Sequence, residues 1–179
     1  MSQFSNSFHL KTSDPTKAVT LLNDAQVTGY VYEEHNGWVT FAAEYKGRHI
    51  DELLSEYNPG ILVHYVYLED HMWTLTIYNK DELVFHYKAD WAGSALLIEK
   101  DLFDLEFLEE LVLQQGNSTS GLEPIFDFKD SPINAENPPA YLIAQRLGLS
   151  HFEYVSPDYL SNLDEEQLEE EGIVAVGLV

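Results

Sequence analysis

The 179-residue chain contains no cysteine. That removes disulfides, thiolate zinc sites and cysteine nucleophiles together, and it fits a reducing compartment. Basic residues are scarce: nine Lys and Arg stand against 31 Asp and Glu, a formal net charge of −22. A surface of that sign repels phosphate backbones and anionic lipids, so neither a nucleic-acid nor a membrane-surface partner is expected. No stretch approaches the roughly 20 apolar residues that cross a bilayer. Met1 to Asn6 lacks the basic-then-apolar pattern of a secretory signal, so the expected location is the cytoplasm.

Organised reactive motifs are missing as well. There is no Gly-x-x-x-x-Gly-Lys-Ser/Thr loop and no Gly-x-Gly-x-x-Gly fingerprint, which argues against nucleotide chemistry. Ala92-Gly93-Ser94-Ala95 comes nearest to a nucleophile elbow without matching it, and reads as an ordinary turn. No cofactor is expected.

What the chain does contain is a repeat. Tyr30 to Trp38 and Tyr65 to Trp73 align without gaps at an offset of 35 residues, with Tyr, Val, Tyr, Glu and Trp coinciding. Each copy is a β-rich run, a polar turn and a second β-rich run, the signature of a hairpin. Asn36-Gly37 supplies residues that tolerate positive φ in the first turn. A helical segment precedes each hairpin. Ser13-Asp14-Pro15 caps one whose stripe is Ala18, Leu21, Leu22 and Ala25, and Ile50, Leu53, Leu54 and Tyr57 form the stripe of the other before Asn58-Pro59-Gly60 stops it.

These elements predict an α+β fold: an antiparallel sheet of about six strands, built from a duplicated helix-hairpin (αββ) unit with two helices on one face, followed by a helical C-terminal region. Strands are expected at 7–12 and 83–87 besides the hairpins. Residues 101–115 read as a helix, Asn137-Pro138-Pro139 as the start of another that ends at Gly148, and Ile173 to Val176 as a last strand at a sheet edge. The Gly/Ser/Asn-rich stretch 116–121 divides the chain into a sheet domain, 1–115, and a mostly helical region, 122–179, packed on it, or else the two form one domain, 1–179.

Alternation puts Tyr30 and Tyr32 together on one face of their strand and Tyr65 and Tyr67 together on one face of theirs, with Trp38 and Trp73 just beyond the turns. These six are candidate binding residues if that face is open, and core residues if the C-terminal helices cover it. Among the seven histidines no helical i, i+4 zinc pair occurs. The best candidate metal set is Glu34, His35, Asp70 and His71, on the premise that the two repeated turns lie at equivalent ends of the sheet.

Charge is uneven along the chain. Residues 1–100 carry 14 acids and seven bases, a net of −7, whereas residues 101–179 carry 17 acids and two bases, a net of −15. The functional expectation is therefore a non-enzymatic interaction module, of inhibitor, immunity-protein or adaptor type, binding a basic protein through its C-terminal half. The alternative is a small metal-dependent hydrolase using the turn residues, and an unfilled sheet face or edge would make a homodimer natural.

Overall fold

The computed structural model describes residues 3–47 and 49–177. It is an α+β arrangement in which one open, wholly antiparallel sheet carries helices on both faces. The strands are β1 (Phe4–Lys11), β2 (Thr28–His35), β3 (Trp38–Glu44), β4 (Ile61–Leu68), β5 (Met72–Asn79), β6 (Glu82–Asp90), β7 (Leu97–Phe103) and β8 (Val174–Val176). Their spatial order is β7-β6-β5-β4-β1-β3-β2-β8. The first strand is thus central, and the last closes one edge.

Helix α1 (Pro15–Asp24) begins where the side chain of Asp14 accepts from the Thr16 backbone N–H at 3.0 Å, a cap that satisfies one of the orphan donors of its first turn. Its buried stripe, Ala18, Leu21 and Leu22, packs with Leu54 of α2 (Ile50–Ser55) onto Phe8, Leu10, Val31, Val39 and Phe41. The two helices share one sheet face, as expected. Both hairpin segments also form, the first through Asn36 and Gly37 at φ 55° and 80°. They enter the sheet in opposite senses: β1 is flanked by the second strand of the first hairpin and by the first strand of the other.

The second face is covered by the helices that follow β7. Helices α3 (Leu105–Gln114), α4 (Leu122–Ile125) and α5 (Pro139–Leu147) lay Leu108, Leu111, Val112, Ile143 and Leu147 over Tyr65, Trp73, Phe85 and Tyr87. Phe126 sits among the rings, stacked on Trp73 with centroids 5.5 Å apart and edge-on to Tyr87 at 4.8 Å. Further along, Tyr30 and Tyr32 pack against Val155, Leu160 and Ile173, residues around α6 (Pro157–Leu160) and after α7 (Glu165–Glu170). One apolar core therefore runs across the Gly/Ser/Asn-rich stretch.

Three expectations need correction. Among the described residues the sheet has eight strands: β8 is the last strand expected at an edge, and β7, at the other edge, was not expected. Residues 101–103 belong to β7, and the helix expected from 101 starts after Asp104, whose side chain accepts from Phe107 N–H at 3.0 Å. Helix α5 begins one residue later than expected: Pro138, not Asn137, is its N-cap, and it makes no side-chain cap bond.

Candidate functional site

The six aromatic candidates are core residues. None of Tyr30, Tyr32, Trp38, Tyr65, Tyr67 and Trp73 is more than 8 % exposed. The reason is the cover just described: Trp38 donates its indole N–H to the Leu147 carbonyl at 2.8 Å, at the end of α5, and Tyr67 meets Tyr141 edge-on at 5.4 Å. A surface that is already desolvated inside the protein has no hydrophobic gain left to offer a partner.

Nor does the metal set converge. Strand β1 pairs Lys11 with Trp38 at one end and Phe4 with Leu68 at the other. The turn carrying Glu34 and His35 therefore lies at the opposite end of the sheet from the turn carrying Asp70 and His71, roughly 20 Å away along a strand of this length. Glu34 instead accepts from the Gly37 N–H at 2.6 Å, and the His71 backbone carbonyl accepts from Trp91 N–H at 2.8 Å. Among the described residues no group of three or more His, Asp or Glu is placed to hold a metal ion.

Two clusters of polar side chains are structural ties. In the first, the ring of His9 lies between Ser7 Oγ and Thr40 Oγ1, 2.9 Å from each, and is 0 % exposed. Burial pushes its pKa down to about 3, with smaller contributions from His151 and His64. The Ser–His pair is sealed beneath the loop that follows α5, where Ser5 Oγ also donates to the Phe152 carbonyl at 2.6 Å. In the second cluster, His151 stacks on Tyr32 at 4.4 Å while its neighbour Ser150 is hydrogen-bonded to His35. Burial and the nearby His35 lower the His151 pKa, partly countered by Glu171. Together with the bond from Asn36 Nδ2 to the Gly148 carbonyl at 3.3 Å, these contacts fasten residues 148–152 to the first hairpin.

An accessible concavity forms where the C-terminal segment returns to the sheet. Strand β8 pairs only with Gly29 to Val31 of β2, so the second half of β2 is flanked by the turn leaving α7. That helix is held by a capping box: Asp164 accepts from Gln167 N–H at 2.9 Å, and Gln167 Oε1 accepts from Asp164 N–H at 3.0 Å. It ends at Gly172, φ 68°, from which Ile173 N–H turns back to the Leu168 carbonyl at 2.8 Å. The side chain of Glu33 lies directly over this glycine.

The result is an open groove of about 500 Å³. Leu168, Ile173 and Val174 supply an apolar floor, Glu33, Glu165 and Glu169 stand around it, and Pro15 of α1 closes one side. Val174 is 55 % exposed. Among the described residues no Lys, Arg or His pairs with the three glutamates; the ion pairs join His49 to Glu52, Lys88 to Asp90 and Lys100 to Asp127. Apolar floor and unneutralised anionic walls together make a site suited to a side chain that is part hydrocarbon and part cation.

Comparison with models of known families, with curated proteins and with solved structures returned no match to this chain.

The groove brings together residues that are distant in the chain. The acidic run 164–171 and the terminal strand are visible separately in the sequence. Glu33 gives no local signal, because its role comes from the pairing of β8 onto β2.

Proposed function

We propose that this protein is a non-enzymatic interaction module that acts in the cytoplasm and binds a basic protein partner, in the manner of an inhibitor, immunity protein or adaptor. The observation that carries the reading is the groove of Leu168, Ile173 and Val174 walled by Glu33, Glu165 and Glu169. It lies where the chain's negative charge is densest: six of the eight residues from Asp164 to Glu171 are acidic. Such a field steers a cationic partner into encounter, and the apolar floor holds it after the surrounding water has left.

The same concentration of charge costs the free protein something. Helix α7 has acids but no base in its last turn and pairs like charges at Glu165/Glu169 and Glu166/Glu170, both of which oppose helix formation. A basic partner relieves that repulsion, so its binding energy includes the gain. The coincidence of Tyr30 with Tyr65, Tyr32 with Tyr67 and Trp38 with Trp73, all turned to one face, supports reading the two helix-hairpin segments as copies of one αββ unit.

The test is affinity capture followed by kinetics. The expected partner is a basic protein whose association rate falls steeply as salt is added, while its dissociation rate changes little. It is expected to bind the double variant Glu165→Lys/Glu169→Lys at least about tenfold more weakly, since charge reversal turns attraction into repulsion. A captured partner with an acidic surface, or an association rate indifferent to salt, would count against the proposal.

A further inference from the structure

Strand β8 is the outermost strand on its side of the sheet, and among the described residues nothing pairs with its outer edge. Sheet edges are ordinarily guarded by an inward-pointing charge, a proline, a lysine or a bulge. Val174-Ala175-Val176 has none of these, its length of three residues being its one guard, and its first residue is the exposed valine that also lines the groove. Val174 thus belongs both to the edge strand and to the lining of the groove.

We infer that groove and edge form one site, which takes an extended basic segment of the partner as a ninth strand on β8. The inference rests on the binding reading above and specifies how that partner is held. A strand added here presents its backbone to the free donors and acceptors of β8 along about three residues, roughly 10 Å. An apolar residue of that strand can lie over Leu168 and Ile173 while basic residues of the same segment reach Glu33, Glu165 and Glu169 through their long, flexible stems. Charge selects this occupant over a second copy of the chain, which would bring a net charge of −22 of its own to the same glutamates.

Backbone pairing and simple charge attraction are separated by a set of synthetic peptides that leave the protein untouched. The parent is an eight-residue peptide of alternating lysine and valine. Two further peptides carry N-methyl groups on its lysines or on its valines, which preserves charge but removes the N–H donors of one strand edge or the other. The parent is expected to bind, weakened by Glu165→Lys/Glu169→Lys. One N-methylated peptide is expected to bind at least about tenfold more weakly than its counterpart, as loss of the one or two N–H bonds that a three-residue edge can accept requires. The parent is also expected to slow hydrogen exchange at the amides of residues 174–176. Equal binding of both methylated peptides would overturn strand addition while leaving the acidic groove as a docking site. Failure of the parent to bind, or binding indifferent to the charge reversals, would overturn both. A wild-type dimer with residues 174–176 protected in the absence of peptide would make the occupant a second copy, and also refute the inference.

Discussion

The carboxyl carbon of Glu33 lies 3.0 Å from where a Cβ on Gly172 would stand. The glycine thus serves twice, as the left-handed residue that ends α7 and as the space over which a groove glutamate lies. Replacing it with alanine forces a side chain into φ 68° and pushes Glu33 aside. Gly172→Ala is expected to lower stability by about 1–2 kcal/mol in chemical denaturation. It should also weaken binding of the alternating lysine–valine peptide, whereas an alanine at Gly93, where a Cβ meets nothing within 4 Å, should leave binding unchanged.

Acid is expected to unfold the protein from an unusually high pH. His9 is buried and neutral, with its pKa held at about 3 against 6.5 when unfolded. The unfolded chain therefore binds a proton that the folded chain refuses throughout that interval, and stability falls as the pH drops below about 6.5, by about 1.4 kcal/mol per pH unit for one such group. His64, stacked on Phe8 and held at about 4 by burial against the opposing influence of Asp51, steepens the loss. Urea midpoints measured from pH 7 to pH 4 should decline for the wild type. They should decline less steeply for His9→Gln, whatever that variant's stability at neutral pH; equal slopes would show that His9 is not the group concerned.

Two buried tyrosine hydroxyls predict opposite responses to the same substitution. Tyr87 donates to the Phe126 carbonyl at 2.7 Å, so Tyr87→Phe is expected to cost about 1 kcal/mol or more by stranding a buried acceptor. Tyr65 Oη is buried with no hydrogen-bond partner among the described residues. Tyr65→Phe is accordingly expected to be neutral or stabilising, because it removes an unpaired polar atom and keeps the ring against Phe152. Thermal melts of the two variants decide the matter.

Helix α7 is expected to tighten as ionic strength rises. Its like-charge pairs and acidic C-terminal end are screened by salt. Amide exchange within residues 165–170 should therefore slow from low to moderate salt, while that of the central strands β1 and β4 stays constant.

Much of the sheet was legible before the structure because its signals are local. Asp14-Pro15 announces α1, Asn36-Gly37 announces the first hairpin, and the Tyr-x-Tyr alternation puts both tyrosines of each copy on one face of their strand. What covers that face was not legible, since the cover depends on contacts such as Trp38 with Leu147, between elements far apart in sequence. Strand β7 was hidden because Leu102 and Phe103 run into the helical spacing of Leu105, Leu108 and Leu111, which erases the boundary. The metal premise failed for a related reason: an offset of 35 residues says that two turns are alike, but not which way each hairpin points. The groove needed both the acidic run and the return of β8 to β2, and only the first has a sequence signature.

The pairing of β8 with β2 also bears on how the chain is made. Residues 28–31 are translated more than a hundred residues before the strand that shields them. Until then β2 is a bare border on a growing sheet, open to mispairing with any extended segment nearby. Fastening that border must wait for β8, so a stretch left open to mispairing during translation is the one that afterwards lies beside the groove.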